Sequence, residues 1–350
     1  MLEVHESTLP RRYGRLTMNT TLPLLDAAGS VELAVLERSG LVESRHLGAA
    51  AVIAPDGSLL RAFGNPDAVV YPRSSLKPFQ AIAVQRAGLH LEGERLALAT
   101  ASHTGTERHL AVVREILASA GLDESALQCP ADWPSDRDSA FEARAAELGM
   151  RRIAMNCSGK HAAFLAACVQ NDWPIESYLD PAHPLQRLVR QTIEEFAGET
   201  VAHTGVDGCG APLFAITLRG LATAIARVAG SPAADPSGAA ARLVSAVFAN
   251  PWAIDGPGEP DTVIVERLGL FAKAGAEGVM VLGAPDGTAV ALKVLDGSRR
   301  AGFLVALGIL ASVGAVDATL AADAARELTA PVLGGGVPVG ELRLADGILP

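Results

Sequence analysis

Segments with the pattern of β-strands lie near both ends of this 350-residue chain, and the residues between them have mostly helical patterns. Near the N-terminus, apolar or alternating segments predict an antiparallel meander, with Pro55-Asp56-Gly57 as a turn, over 31–36, 48–54 and 59–63. A second hairpin is predicted late in the chain, from 278–282 through the turn Pro285-Asp286-Gly287 to 288–295. Because each set of strands must bury one face, we expect both sets to share a single antiparallel sheet.

Helices are predicted between and after these strands. The first begins at Ser74 or Ser75 and has Pro78 in its first turn, a position that proline tolerates. Apolar periodicity predicts further helices over 108–118, 140–148, 161–169, 184–196, 211–229 and 317–328, and one that begins at 301. The predicted fold class is therefore α+β, an antiparallel sheet flanked by helices with a helical subdomain. Residues 1–30 lack periodicity and are expected to form a flexible arm, and 31–350 a single domain.

Charge and composition exclude several kinds of partner. The net charge is −10 and basic residues do not cluster, so nucleic acid is not an expected partner. The longest charge-free apolar run covers 301–316, which is shorter than the ~20 residues of a membrane span and predicts a buried helix. Residues 1–30 contain Glu3 and Glu6 and no continuous apolar stretch, unlike a signal peptide. We therefore expect a cytoplasmic protein whose four cysteines are reduced.

Lysine is scarce in this chain. Of 29 basic residues only four are lysines, namely Lys77, Lys160, Lys273 and Lys293. Such a bias commonly reflects coding composition, but lysine also offers what arginine does not, a neutral amine near neutral pH. Each lysine is therefore a candidate base, nucleophile or ligand.

Ser74 and Lys77 open the first predicted helix with the spacing Ser-x-x-Lys. This spacing places both side chains on one helix face, where a neutral lysine can act as the base that activates a serine. The alternative is an ordinary N-terminal cap followed by a solvent-facing lysine. Ser102 follows an apolar stretch and is a candidate second hydroxyl, with a simple strand-to-helix turn as its alternative.

Two cysteines have suitable neighbours for metal binding. Cys157 lies three residues before Lys160 and four before His161, and Cys209 lies between two glycines after Asp207. Two thiolates and one nitrogen can form a three-ligand zinc site with an open fourth position, and spacing alone favours His161 as the nitrogen. Two unrelated thiols are the alternative.

The other lysines and cysteines carry less information. Lys273 precedes the strand at 278–282 and resembles the lysine of the Lys-Thr-Gly element in serine β-lactamases, at the start of a central strand. Lys293 is predicted on the solvent side or at the edge of a strand, and Cys129 and Cys168 are expected to be structural.

Taken together, these motifs resemble the asparaginase II family, the zinc-containing class typified by the rhizobial inducible L-asparaginase. The resemblance extends from about residue 31 to the C-terminal strand. The segments that carry it occur in the family's order, at 73–78, 102–103, 156–161, 183–186 and 207–212.

The resemblance implies a serine β-lactamase/glutaminase-like fold, a homodimer, and hydrolysis of L-asparagine, a small amino-acid amide, to L-aspartate and ammonia. It implies Ser74 as nucleophile with Lys77 as its base, and a second pair of Ser102 with Lys273. It further implies that Arg73 and Asp207 orient the substrate, and that zinc binds Cys157, Lys160 and Cys209, with Lys160 in place of His161. Two alternatives stay open: a glutaminase or other Ser-Lys acyl hydrolase on the same fold, and a non-catalytic zinc- or thiol-dependent binding protein.

Overall fold

The computed structural model describes residues 22–349. Most of the predicted arm, residues 1–21, therefore lies outside the described residues. The strands, numbered along the chain, are β1 Val31–Arg38, β2 Leu41–Ile53, β3 Leu59–Phe63, β4 Val69–Val70, β5 His203–Val206, β6 Pro212–Thr217, β7 Phe271–Ala274, β8 Val279–Gly283, β9 Ala289–Val294, β10 Val332–Gly334 and β11 Val337–Leu344.

The helices fill most of the middle of the chain and flank the last strands. They are α1 Lys77–Arg86, α2 Gly93–Ala99, α3 Glu107–Ser119, α4 Arg137–Ala145, α5 Ser158–Gln170, α6 Pro184–Ala197, α7 Leu218–Ala229, α8 Ser231–Ala234, α9 Ala239–Ala249, α10 Pro260–Leu268, α11 Gly302–Ser312 and α12 Ala318–Leu328. In the described part of the chain, no helix has both the length and the apolar content needed to cross a membrane.

The main sheet joins strands from both ends of the chain, as the sequence predicts. Its order is β10-β11-β1-β2-β9-β8-β7, β3 also pairs with β2, and every pairing is antiparallel. Both predicted hairpin turns are present, between β2 and β3 and between β8 and β9. The α+β fold class, with an antiparallel sheet flanked by helices, is confirmed.

Helices cover both faces of this sheet. On β8, Gly283 lies against Ala229 of α7, and Met280 lies against Gly302 of α11. These two strand positions are an odd number of residues apart, so they point to opposite faces. The helix predicted from 301 is α11, which is largely buried and packs on one face of the sheet. β8 and β9 are buried along almost their whole length.

The segment 211–229 differs from its prediction as one continuous helix. It contains β6, the central strand of a second, three-stranded sheet of order β4-β6-β5, and only then α7. Residues of β6 are buried on both faces and so lack the alternation that marks a strand. The break comes at Thr217, whose side chain accepts a hydrogen bond from Gly220 N and caps α7.

Lys273 also lies elsewhere than predicted. It is in the middle of β7, at the edge of the main sheet, rather than at the start of a central strand. β7 packs against α10 and against the turn that precedes α1. This edge, the start of α1, the start of α5 and the β5–β6 turn meet in one region, which contains the candidate residues.

Candidate functional site

A tight turn presents Ser74 at the start of α1. Arg73 has a φ of 54°, in the left-handed region that non-glycine residues rarely occupy, and it opens a 3₁₀ turn over Arg73–Leu76. The Lys77 N–H donates to the Ser74 carbonyl, so the two residues are one turn apart. Ser75 is buried and its hydroxyl donates to the Lys273 carbonyl at 2.9 Å, which fastens this turn to β7. Backbone strain of this kind is characteristic of functional sites.

Lys77 is a buried amine without a carboxylate partner among the described residues. Its Nζ donates to the Ala101 carbonyl at 2.6 Å and to the Ser102 hydroxyl at 2.9 Å. Burial lowers the pKa of Lys77, and the positive charges of Lys273 and Lys160 lower it further, while the Cys157 thiol opposes this shift. No hydrogen bond joins Lys77 Nζ to the Ser74 hydroxyl within residues 22–349, so the predicted partner and the observed one differ.

The loop that carries Ser102 is fixed on two sides. The Ser102 N–H donates to the Ile254 carbonyl at 2.9 Å, and the Thr104 N–H donates to the Asp255 carbonyl at 2.8 Å. On the other side the His103 ring lies 2.8 Å from the Ser158 hydroxyl at the start of α5. The Ser102 hydroxyl is therefore held in a defined position near Lys77.

Lys273 forms an ion pair with Asp261. Its Nζ lies 2.8 Å from Asp261 Oδ2, and the two side chains are 0% and 1% exposed. The described residues show no hydrogen bond between Lys273 and Ser102, the partner that the family resemblance implies. Lys273 is instead close enough to Lys77 for its charge to act on that amine.

The two candidate thiols meet Lys160 in a buried cluster. Cys157 immediately precedes α5, and Lys160 is in the first turn of that helix. Lys160 Nζ lies 3.0 Å from Cys209 Sγ. The Cys157 thiol donates to Asn156 Oδ1 at 3.1 Å and lies close enough to Cys209 to affect the pKa of that residue. Cys209 is in the β5–β6 turn, where Gly210 adopts a φ of 86° that glycine accommodates without strain.

The charges in this cluster favour a thiolate at Cys209. The neighbouring Cys157 thiol and the charge of Lys160 together lower the pKa of Cys209 to about 5, although burial acts in the opposite direction. Burial would lower the pKa of Lys160, but the negative charges of Cys209, Cys157 and Asp207 raise it above its usual value. The opposite charges of Lys160 and Cys209 therefore stabilise one another.

The donor set fits zinc in its chemistry. Two sulfurs and one nitrogen converge at Cys157, Lys160 and Cys209, and thiolate sulfur with nitrogen is a preferred zinc environment. Among the described residues no group of three His, Cys, Asp or Glu side chains is arranged to hold a metal. All four cysteines of the chain are free and buried.

His161 faces a different partner. Its Nδ1 lies 2.7 Å from the Tyr178 hydroxyl, and burial lowers the pKa of the ring to about 3, so the ring is neutral. Spacing alone favours this residue as the third ligand, but its hydrogen bond goes to Tyr178 rather than to either thiol.

An ion pair links the serine turn to the thiol turn. Arg73 Nε lies 2.8 Å from Asp207 Oδ1, and the Cys209 thiol lies 3.7 Å from Asp207 Oδ2. Burial raises the pKa of Asp207, but Lys160 and Arg73 outweigh it and hold the pKa below its usual range. The contacts of Arg73, Lys77, Lys160 and Cys209 thus connect the candidate residues of distant sequence segments into one site.

Sequence reasoning missed Asp261 and Asp255. Both are in the glycine- and proline-rich stretch 255–262, and Asp261 is in the first turn of α10. Three acidic residues around the start of a helix, two before it and one in its first turn, are the only signal there, and acidic residues are common at helix starts. Nothing in that pattern connects Asp261 to Lys273.

The chain is similar to several solved structures. Solved structures of Mglu include one that is 16% identical with a TM-score of 0.35, covering 77% of this chain and 67% of that one. For Mglu in its glutamate form the values are 16%, 0.34, 77% and 61%, so this chain spans about two thirds or less of the Mglu chains. A β-lactamase from Mycobacterium bovis is 17% identical, with a TM-score of 0.38 and coverage of 81% and 95%.

These TM-scores are low, so the fold class rests on the strands and helices described above. A search of curated proteins finds no match. The family model described as L-asparaginase II matches residues 34–344, which is most of the chain. The chain belongs to the L-asparaginase II family.

Proposed function

We propose that this protein is a serine amidohydrolase that converts L-asparagine to L-aspartate and ammonia, with Ser74 as the nucleophile and Lys77 as its base. The observation that carries the proposal is the environment of Lys77, a fully buried amine that lacks a carboxylate partner among the described residues and lies 2.9 Å from the Ser102 hydroxyl. Family membership supports a hydrolase that acts on amides.

The three buried lysines of the site differ in their partners. Lys160 lies against the Cys209 thiol and Lys273 against the Asp261 carboxylate, whereas Lys77 contacts the Ala101 carbonyl and the Ser102 hydroxyl, which are neutral. An ammonium group is stabilised by a neighbouring carboxylate, and Lys77 has none among the described residues, while burial lowers its pKa. A neutral amine is what a serine nucleophile requires of its base.

The proposed reaction has two stages. The Ser74 oxygen attacks the side-chain amide carbon, and Lys77 accepts the proton that Ser74 loses. The hydrogen bond to Ser102 holds the Lys77 amine in place. The carbon–nitrogen bond then breaks, the proton passes from Lys77 to the departing ammonia, and an ester between aspartate and Ser74 is left. Water attacks this ester with Lys77 again as base, which releases aspartate and restores the Ser74 hydroxyl.

Arg73 and Asp207 support an amino-acid amide as the substrate. The free amino acid carries an α-carboxylate and an α-ammonium group, and the Arg73–Asp207 pair offers one charge complementary to each. This pair is adjacent to Ser74 in the chain on one side and to the thiol cluster on the other. We assign to Arg73 and Asp207 the role of orienting the substrate.

Cys157, Lys160 and Cys209 are the residues that would hold zinc. Bound zinc supplies a Lewis acid with an open fourth position for water. Lys160 would have to lose its proton to bind, because only the neutral amine has a free electron pair. The homodimer belongs to the same proposal and rests on the family resemblance, and the cytoplasmic location stays an expectation from the sequence.

The test is ammonia release from L-asparagine and from L-glutamine by the purified protein. We expect release from asparagine, its loss in Ser74→Ala, and its retention in Ser75→Ala, whose hydroxyl serves the fold by bonding to β7. Release from glutamine alone would support the glutaminase alternative. Release from neither amide by a protein that carries zinc would favour the binding-protein alternative and contradict the proposal.

A further inference from the structure

The Lys273–Asp261 ion pair is the most completely buried charge pair among the described residues. A charged pair removed from water is costly unless each member is further hydrogen-bonded. Asp261 meets this condition, since its two oxygens accept from Lys273 Nζ at 2.8 Å and from the Ala274 N–H at 3.0 Å. It also lies in the first turn of α10, where the helix dipole favours a negative charge.

A second carboxyl group, that of Asp255, lies next to Asp261. Its Oδ2 accepts weakly from the Asp261 N–H at 3.4 Å. Burial and the negative charge of Asp261 raise the pKa of Asp255 to about 7, so Asp255 can carry a proton at neutral pH. One ammonium group is then balanced by one carboxylate.

The groups around Lys273 come from four elements. Asp261 belongs to α10, Asp255 to the segment before it, Lys77 to α1, and Ser75 to the preceding turn, where its hydroxyl contacts the Lys273 carbonyl. Only the first of these is a hydrogen-bonded anion within reach of Lys273 Nζ. The protonation state of Lys273 therefore depends on Asp261.

We propose that Asp261 is a positioning residue that holds Lys273 as a permanent ammonium group beside Lys77, so that Lys273 acts as a fixed positive charge rather than as the base of a second Ser–Lys pair. The ion pair itself does not depend on the proposed function, but the catalytic consequence rests on it. Lys273 then acts on the reaction through its charge and does not accept a proton from Ser102.

The scarcity of lysine makes this state directly observable. Protein grown with lysine that carries ¹³C at the ε-carbon gives signals from only four side chains, and Lys273→Met identifies one of them by its loss. We expect the Lys273 signal of the wild type to have the chemical shift of an ammonium group throughout the neutral and mildly alkaline range. A neutral-amine shift in that range would overturn the proposal, whatever the activity.

Asp261→Asn tests the cause. It should move the Lys273 signal toward the neutral-amine position at neutral pH, whereas Asp261→Glu should retain the ammonium position because it retains the charge. A folded Asp261→Asn protein whose Lys273 signal is unchanged would contradict the role of Asp261. Near-ultraviolet circular dichroism shows whether Asp261→Asn folds. If it does not fold, the Lys273 chemical shifts of the wild type and of Asp261→Glu still test whether Lys273 is an ammonium group.

Turnover gives the second readout. We expect Asp261→Asn to lower kcat at least about tenfold with little change in KM, and Asp261→Glu to recover part of the loss, because a fixed charge acts on the reaction rather than on substrate binding. A kcat unchanged in folded Asp261→Asn would overturn the catalytic consequence. A wild type that releases no ammonia but shows an ammonium Lys273 would refute the proposed function and leave the ion-pair assignment intact.

Discussion

Lys77 Nζ lies 2.9 Å from the hydroxyl oxygen of Ser102, a residue 25 positions further along the chain. The contact joins the first turn of α1 to the loop that follows α2, and it is made by an amine that is 1% exposed. A buried lysine bonded to a hydroxyl, with no carboxylate partner in the described part of the chain, is suited to accept a proton.

Replacing Lys77 tests its role as base. Lys77→Arg keeps a positive charge but supplies a group that does not lose its proton near neutral pH, so we expect kcat/KM to fall by about 10³-fold or more. Lys293→Met is the matched control, because Lys293 is the lysine outside the site and bonds to the Glu277 and Val294 carbonyls. Equal losses in both variants, measured as ammonia release, would argue against a special role for Lys77.

Replacing Ser74 and replacing Ser102 should affect different steps of the reaction. Ser74→Ala removes the nucleophile, so we expect no covalent intermediate, whereas Ser102→Ala leaves Lys77 Nζ with the Ala101 carbonyl and slows the reaction by roughly 10²-fold. Rates before and after the first turnover, followed by rapid quenching, separate the two effects. Activity that survives in Ser74→Ala and vanishes in Ser102→Ala would make Ser102 the nucleophile.

Zinc content tests the thiol cluster. We expect elemental analysis to give close to one zinc per wild-type chain and far less in Cys209→Ser, because a serine hydroxyl is a much weaker zinc ligand than a thiolate. Cys168→Ser is the control, since Cys168 is also buried but lies in α5 away from the cluster. The same metal content in Cys209→Ser and the wild type would reject this site.

Asp255 should make stability depend on pH in an unusual direction. Because its pKa is raised to about 7 in the folded protein, the folded state binds more protons than the unfolded state between about pH 4 and about pH 7. This contribution to stability is complete at acidic pH and is lost as the pH rises through that window, by up to about 1.4 kcal/mol per pH unit. Asp255→Asn, which mimics the protonated carboxyl group, should remove this slope.

Urea unfolding of both proteins across the window measures the difference. The free energy of unfolding of the wild type should fall relative to Asp255→Asn as the pH rises. Parallel curves for the two proteins would show that Asp255 is ionised in the folded state throughout.

Gly275 permits a close approach between β7 and the serine turn. A Cβ atom there would lie 2.6 Å from the Pro72 carbonyl oxygen and 3.1 Å from Ser75 Oγ. Because the nearest obstacle is backbone, we expect Gly275→Ala to lower the free energy of unfolding by about 1–3 kcal/mol and to displace the turn that carries Ser74, which reduces activity. Gly302→Ala, whose Cβ would meet nothing closer than 3.7 Å, should retain both.

Local patterns predicted much of the fold. Turn chemistry at Pro55-Asp56-Gly57 and at 285–287 located both hairpins, and alternation over 59–63 matched β3 at both ends. The prediction of one helix over 211–229 was wrong, because a strand that is buried on both faces shows no alternation. In the sequence, β6 and α7 therefore look like one continuous apolar segment. Periodicity reports which residues are buried but does not distinguish two adjoining buried elements.

The sequence pointed to residues that lie close together in the structure, but it did not predict which of them contact each other. The scarce lysines and the motifs around Cys157 and Cys209 directed attention to residues that the structure connects by direct contacts. That Lys77 contacts Ser102, and that Lys273 contacts Asp261, depends on how far each side chain reaches between elements distant in sequence. Such contacts follow from the packed structure and leave no local pattern.

The most direct test of the account is the mass spectrum of the wild-type protein quenched during turnover of L-asparagine. The account predicts an aspartyl ester on the tryptic peptide that carries Ser74, present in the wild type and absent from Ser74→Ala. Turnover with no adduct on that peptide, or an adduct on the peptide that carries Ser102 instead, would contradict the assignment of Ser74 as the nucleophile.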